Sequence, residues 1–274
     1  MRPSKELEDQ QASSWGSCFD GVILVTFSVL GDMLIQGPNR SSLLAGPRQR
    51  SLLCALLVNR GQTVPSSVLF QELWQDVPPA SGPNALYAQV SRLRRTIELF
   101  SAGSTPSVRV NSHYPGYRLE APQGAVDTDR FRSLCNQAQR ARNRDLDKAA
   151  TCYQEALRCW RGRALQDVPP GVIRDAEARR LEHERTLALT RLVEIDLERG
   201  RYADLVPLLE QLVEERPLDE RLCTQLMIAL DRLGRAQDAL DAYQRIRERM
   251  AAELGMDPSP VLEREMRRIL ERTE

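Results

Sequence analysis

Between Asn84 and Glu98 the apolar residues Leu86, Val90, Leu93 and Ile97 recur at intervals of three and four. At 100° per residue they form one stripe of a helix, with Asn84, Ala88, Ser91 and Arg95 on the opposite face and Arg92 and Arg94 flanking that outer face. Gly82 before Pro83 marks the start, because proline at the first helical position gives up only a donor that has no helical partner. Upstream, 22–44 alternates apolar and polar positions in bursts broken by Gly31, Gly37, Pro38 and Asn39, which predicts two or three short strands. A helix over 48–59 follows, carrying Leu52, Leu53, Leu56 and Leu57 on one face and closed by Arg60-Gly61. A second helix over 66–75, with Ser66 as its cap, packs Leu69, Phe70, Leu73 and Trp74. After the third helix, Val108 and Val110 alternate toward a loop over 111–116, and Tyr117, Arg118 and Leu119 return, predicting a hairpin with a Pro115-Gly116 turn.

From Val126 onward the pattern is helical, punctuated at Gly162, Pro169-Pro170-Gly171, Gly200, Pro217, Gly234 and Pro258, and predicts about seven helices. Gly200-Arg201 recurs as Gly234-Arg235, and Ala149 with Tyr153 is matched by Ala239 with Tyr243. Paired helices at this period suit tetratricopeptide-like packing. The expected fold is mainly α with a small β component: a leader at 1–21, a domain at 22–121 and a helical domain at 122–274. Strands, three helices and a terminal hairpin, in that order, resemble the OmpR-type winged helix-turn-helix, with the hairpin as the wing.

Composition adds a charge asymmetry. The 274 residues are 42% apolar and 28% charged, with zero formal net charge. Yet 22–121 holds nine arginines against five acids, while 122–274 holds 27 Lys or Arg against 29 acids. The surplus permits an anionic partner without demanding one, so the placement of the arginines carries the argument. Lys5 and Lys148 are the only lysines, a usage that a GC-rich genome explains as readily as bidentate recognition. Cys18, Cys54, Cys135, Cys152, Cys159 and Cys223 include no CxxC pair, and read as free thiols in a reducing cytoplasm. No apolar run is long enough for a membrane span, and 1–21 is polar, as a disordered leader would be.

The chemistry these residues offer is nucleic-acid recognition. Arg92, Arg94 and Arg95, with Asn84, Tyr87, Gln89 and Ser91, present guanidinium and amide groups on an element narrow enough for the major groove. Arginines on an arbitrary helix would be a solvated face, but here the helix is third in a winged-helix order. In the wing, Arg109, His113, Tyr114 and Arg118 are candidates for phosphate or minor-groove contact, with His113 open between a backbone contact and a bystander. Arg48 and Arg50 open the first long helix, where a phosphate contact and plain capping are both open readings. Trp74 is open between core and an indole N–H to phosphate. There is no GxSxG, no HExxH and no Cys-His spacing of a known kind, so no catalytic residue, cofactor or metal is assigned.

Seven stretches then coincide in order with one family: FSVLGDMLI, PRQRSLLCALLVNRGQTVPSSVLFQELW, YAQVSRLRRTIE, PGYRLE, VDTDRF, WRGRALQDV and AELGMDPSPVLEREMRRIL. Across nearly all of 25–270 the chain resembles the Streptomyces antibiotic regulatory proteins, which pair an OmpR-type domain with a helical bacterial transcriptional activation domain. The resemblance implies a cytoplasmic, nucleoid-associated activator of secondary-metabolite genes. It implies binding to direct repeats near the promoter −35 region by two protomers side by side, and recruitment of RNA polymerase holoenzyme through sigma and other subunits. It places the recognition helix at 84–95 and the wing at 108–119. Lacking a receiver domain, the chain is expected to be controlled by abundance or a ligand. A repressor, or a tetratricopeptide-type adaptor, is the competing expectation.

Overall fold

The computed structural model of the protein describes residues 25–273 except 39, 76–78, 80–81 and 102–107. The expected leader at 1–21, and Cys18 within it, lie outside the described residues. Three short antiparallel strands come first, β1 (Thr26–Ser28), β2 (Leu34–Gly37) and β3 (Arg40–Leu43), paired in that order. Phe27 and Ile35 are opposite one another and fully buried, so the sheet lays one apolar face on the core.

Helices α1 (Pro47–Val58), α2 (Ser66–Trp74) and α3 (Pro83–Phe100) follow within a residue or two of the expected bounds. Leu52, Leu53 and Leu56 of α1 meet Leu69 of α2 and Leu86, Val90 and Leu93 of α3 in the core, all at most 3% exposed. Pro65, not Ser66, occupies the N-cap position of α2, and no side chain caps that helix. The reason is strand β4 (Thr63–Pro65), which runs directly into α2 and which the sequence pattern did not predict. Three residues are too few for alternation to register.

Strand β4 pairs with β6 (Gly116–Glu120), which in turn pairs with β5 (Arg109–His113), giving a sheet of order β4-β6-β5. The hairpin is longer than its pattern suggested, because His113 pairs with Gly116 and only Tyr114-Pro115 connects the strands. Gly116 is therefore a strand residue. Its glycine is required by packing, since a Cβ there would lie 1.9 Å from the Val64 carbonyl oxygen.

Seven helices follow among the described residues: α4 (Asp127–Ala141), α5 (Leu146–Leu157), α6 (Val172–Glu198), α7 (Tyr202–Glu215), α8 (Glu220–Arg232), α9 (Ala236–Leu254) and α10 (Pro260–Thr273). The compact units cut across chain order. One contains residues up to Asn136 together with Gln154–Ala188; the other contains Gln137–Tyr153 and everything from Leu189.

In the first unit, three carboxylates bind backbone amides far away in sequence. Asp127 accepts from Val29 and Leu30 N–H at 2.9 to 3.1 Å, Asp167 accepts from Met33 N–H at 2.8 Å, and Glu72 accepts from Ile173 and Arg174 N–H at 3.0 Å. Glu72 thus caps α6 from α2, and Gly171 leaves the room: a Cβ there would be 2.3 Å from a Glu72 oxygen. Bonds of this charge-assisted kind contribute about 1.5–3 kcal/mol each.

In the second unit, α7 and α9 begin at equivalent points of the repeat, just after Gly200 (φ 72°) and Gly234 (φ 76°). Positive φ suits glycine there, between the end of one helix and the start of the next. Leu205, Leu209, Leu226, Met227, Ala242, Ile246, Leu262 and Ile269 form its core.

Candidate nucleic-acid interface

Helix α3 divides as its periodicity requires. Leu86, Val90, Leu93 and Ile97 are buried, and Asn84, Tyr87, Ala88, Ser91, Arg92 and Arg95 are exposed. Gly82 holds the N-cap position with no side-chain cap. Arg92 and Arg95 make no ion pair or side-chain hydrogen bond with the described residues, so two guanidinium groups stand uncompensated on one face. Tyr87 is 63% exposed beside them.

Two residues expected on that face are engaged within the protein. Gln89 is half-buried, and its carbonyl and side-chain oxygens accept from Gln49 Nε2 at 3.0 and 2.6 Å, which holds α3 against α1. Arg94 donates from Nε to the Val110 carbonyl at 2.7 Å and from Nη2 to Ser112 Oγ at 3.0 Å. Its guanidinium carbon also lies 5.9 Å from the Tyr117 ring centroid.

On the wing, Arg109 and His113 are exposed and Tyr114, at the tip, is 96% exposed. His113 Nδ1 lies 3.1 Å from Thr63 Oγ1 and Nε2 lies 3.3 Å from Arg118 Nη2. Because a guanidinium can only donate, Nε2 is the acceptor and Nδ1 carries the proton. Arg118 also donates to Thr63 Oγ1 at 3.2 Å. The three side chains tie β5, β6 and β4 together.

At the N-terminus of α1, Gly46 holds the cap position and no side chain caps the helix. Arg48 is exposed, its guanidinium carbon 5.7 Å from the centroid of the Trp74 ring system. Trp74 itself is buried, 4.6 Å from Phe70 centroid to centroid, and so belongs to the core. Arg50 turns inward: Nε donates to the Asp167 carbonyl at 2.8 Å and lies 3.5 Å from its carboxylate, while Nη1 donates to the Leu44 carbonyl at 3.1 Å. Sequence periodicity has no means of seeing a partner 117 positions away.

Cys54, Cys159 and Cys223 are buried free thiols and Cys135 is half-buried. Burial pushes Cys54 far up, and Cys135, Cys159 and Cys223 to about 12, 11 and 12. No helix among the described residues is long and apolar enough to cross a membrane. In the second unit a groove of about 810 Å³ runs between α7 and α9, floored by Val213, Leu226 and Ile246 and rimmed by Glu210, Glu214, Arg245 and Arg249.

Two family descriptions match the chain in succession. Residues 40–119 match "Transcriptional regulatory protein, C terminal", and residues 126–270 match "Bacterial transcriptional activator domain". Among similar proteins, regulatory protein DnrI of Streptomyces peucetius is 35% identical, over 86% of this chain and 88% of its own length. Transcriptional regulator RedD of Streptomyces coelicolor is 33% identical, over 90% of this chain and 70% of its own. Regulatory protein AfsR of the same species is 36% identical over 89% of this chain, which spans only 24% of it. Of solved structures, Mycobacterium tuberculosis EmbR, in complex with a low-affinity phosphopeptide, superposes with a TM-score of 0.82 at 32% identity. The match covers 91% of this chain and 66% of that one.

Proposed function

The chain belongs to the Streptomyces antibiotic regulatory protein family of transcriptional activators, and from that premise we propose that it binds promoter direct repeats near the −35 region and recruits RNA polymerase holoenzyme to secondary-metabolite genes. The observation that carries this reading is the exposed face of α3, where Arg92 and Arg95 have no partner among the described residues while the opposite stripe is buried. Asn84, Tyr87, Ser91, Arg92 and Arg95 meet base edges and adjacent phosphates in the major groove. Arg48, beside the uncapped start of α1, meets a phosphate, and Arg109 and Tyr114 bring the wing to the backbone or minor groove. Arg50, Gln89, His113, Arg118 and Trp74 hold the framework on which those residues sit.

Two protomers lie side by side on the repeat, and the helical region beyond the wing meets polymerase, sigma included. Its α7–α9 groove, apolar at the floor and charged at the rim, has the character of a protein-docking surface. The test has two stages. Footprinting on genomic DNA should protect paired direct repeats, and purified holoenzyme should give more transcript from such a promoter when the protein is added. No preference over random DNA would favour an adaptor, and falling transcript would favour a repressor.

A further inference from the structure

Arg94 sits beside the arginines that face outward, yet it points to the wing. Strand β5 is an edge strand of the sheet β4-β6-β5, so one side of it presents carbonyls that no neighbouring strand can satisfy. Arg94 takes the carbonyl of Val110 with Nε, at 2.7 Å, and Ser112 Oγ with Nη2, at 3.0 Å. Its guanidinium carbon is 5.9 Å from the centroid of Tyr117, the residue opposite Ser112 in the hairpin. One planar group therefore fixes two alternate residues of β5 and one of β6, just below the exposed tip at Tyr114. A fork with donors at a fixed angle does this; an ammonium on a flexible stem does not.

We propose that Arg94 is a positioning residue that clamps the wing to the recognition helix, setting the spacing between the groove contacts of α3 and those of the wing tip. This rests on the DNA-binding reading above. A side chain spent on Val110 and Ser112 adds nothing to the count of phosphates neutralised, so its removal acts through geometry and not through counterion release.

The test uses the full chain with Arg94→Lys, Arg94→Ala, Tyr114→Ala and the double variant Arg94→Ala/Tyr114→Ala. In the free protein, amide hydrogen exchange over 111–117 should quicken by about tenfold in both Arg94 variants, because local opening of the hairpin no longer breaks the clamp. On a footprinted repeat, both should weaken binding by about tenfold or more with an unchanged salt slope. Tyr114→Ala should matter several-fold less when Arg94 is already alanine, since an unclamped wing has lost its register.

Unchanged exchange overturns the clamp, whether or not the protein binds DNA. Faster exchange in a chain that shows no preference for any repeat overturns the DNA reading and leaves the clamp standing. If Arg94→Lys binds like wild type, or Arg94→Ala lowers the salt slope by about one, Arg94 is a phosphate contact and the proposal falls.

Discussion

Arg94 and Arg95 are adjacent in sequence, and the 100° of helix rotation between them separates a side chain facing the wing from one facing solvent. Arg95, with Arg92, faces solvent, and the proposed reading puts both on DNA: Arg92→Ala and Arg95→Ala should then each weaken binding to a footprinted repeat by about 1–3 kcal/mol if the contact is to a base, or lower the salt slope by about one if it is to phosphate. Titration of both variants at several salt concentrations distinguishes the two, and a double variant that binds and responds to salt like wild type would remove α3 from the interface. Asp127 poses a different residue-scale problem. Burial pushes its carboxyl up to about 6, against the N–H groups of Val29 and Leu30 and the Arg161 guanidinium, which pull it down. The folded chain therefore keeps this proton at a pH where the unfolded chain, near the ordinary 3.8, has released it. Stability contributed by this group falls as pH rises from about 4 to about 6, by roughly 2–3 kcal/mol, and is level above. Asp127→Asn cannot titrate, so the wild-type urea midpoint should fall relative to the variant's across that window; a constant difference between the two would mean Asp127 does not titrate there.

Elements show where pattern sufficed and where it did not. The four-residue stripe of α3 and the leucines of α1 are buried as their spacing requires, because a helix of fixed pitch has one way to hide them. Strand β4 escaped detection, and with it the cap of α2 and the third strand beside the wing, because its pairing with β6 spans more than fifty residues. Glu72 was legible only as an acid within an amphipathic helix. In the structure it is 5% exposed and ends at the first amides of α6. Glu72→Gln leaves one oxygen for two amide donors, and should destabilise the chain by about 1.5–3 kcal/mol. Gly171→Ala, which drives a methyl into the same carboxylate, should act in the same direction. Chemical denaturation of both variants checks this, and midpoints equal to wild type would show that the cap contributes nothing.

For the whole molecule, the winged helix shares a compact unit with 127–136 and 154–188, and is not closed at the end of its wing. Val29, Leu30 and Met33 find acceptors in Asp127 and Asp167, and Phe27 N–H donates to the Ala125 carbonyl at 2.7 Å. A fragment ending at Ala121 should therefore lose protection at these four amides, their exchange rising by at least about tenfold over the full chain. Equal protection would show that the winged helix folds without the helical segments C-terminal to it. Sequence by itself determined the three helices and the hairpin of the winged helix, the buried stripes of α1 and α3, the repeat of Gly200 and Gly234, and the helix that carries Arg92 and Arg95, because these depend on spacing within an element or between neighbouring ones. Tertiary structure alone decided which of these arginines are engaged within the protein and which are exposed without a partner among the described residues. Arg50 and Arg94 have the same chemistry as Arg92 and Arg95, and what distinguishes them is a backbone carbonyl brought to 2.8 and 2.7 Å by chain folding, which local periodicity does not encode.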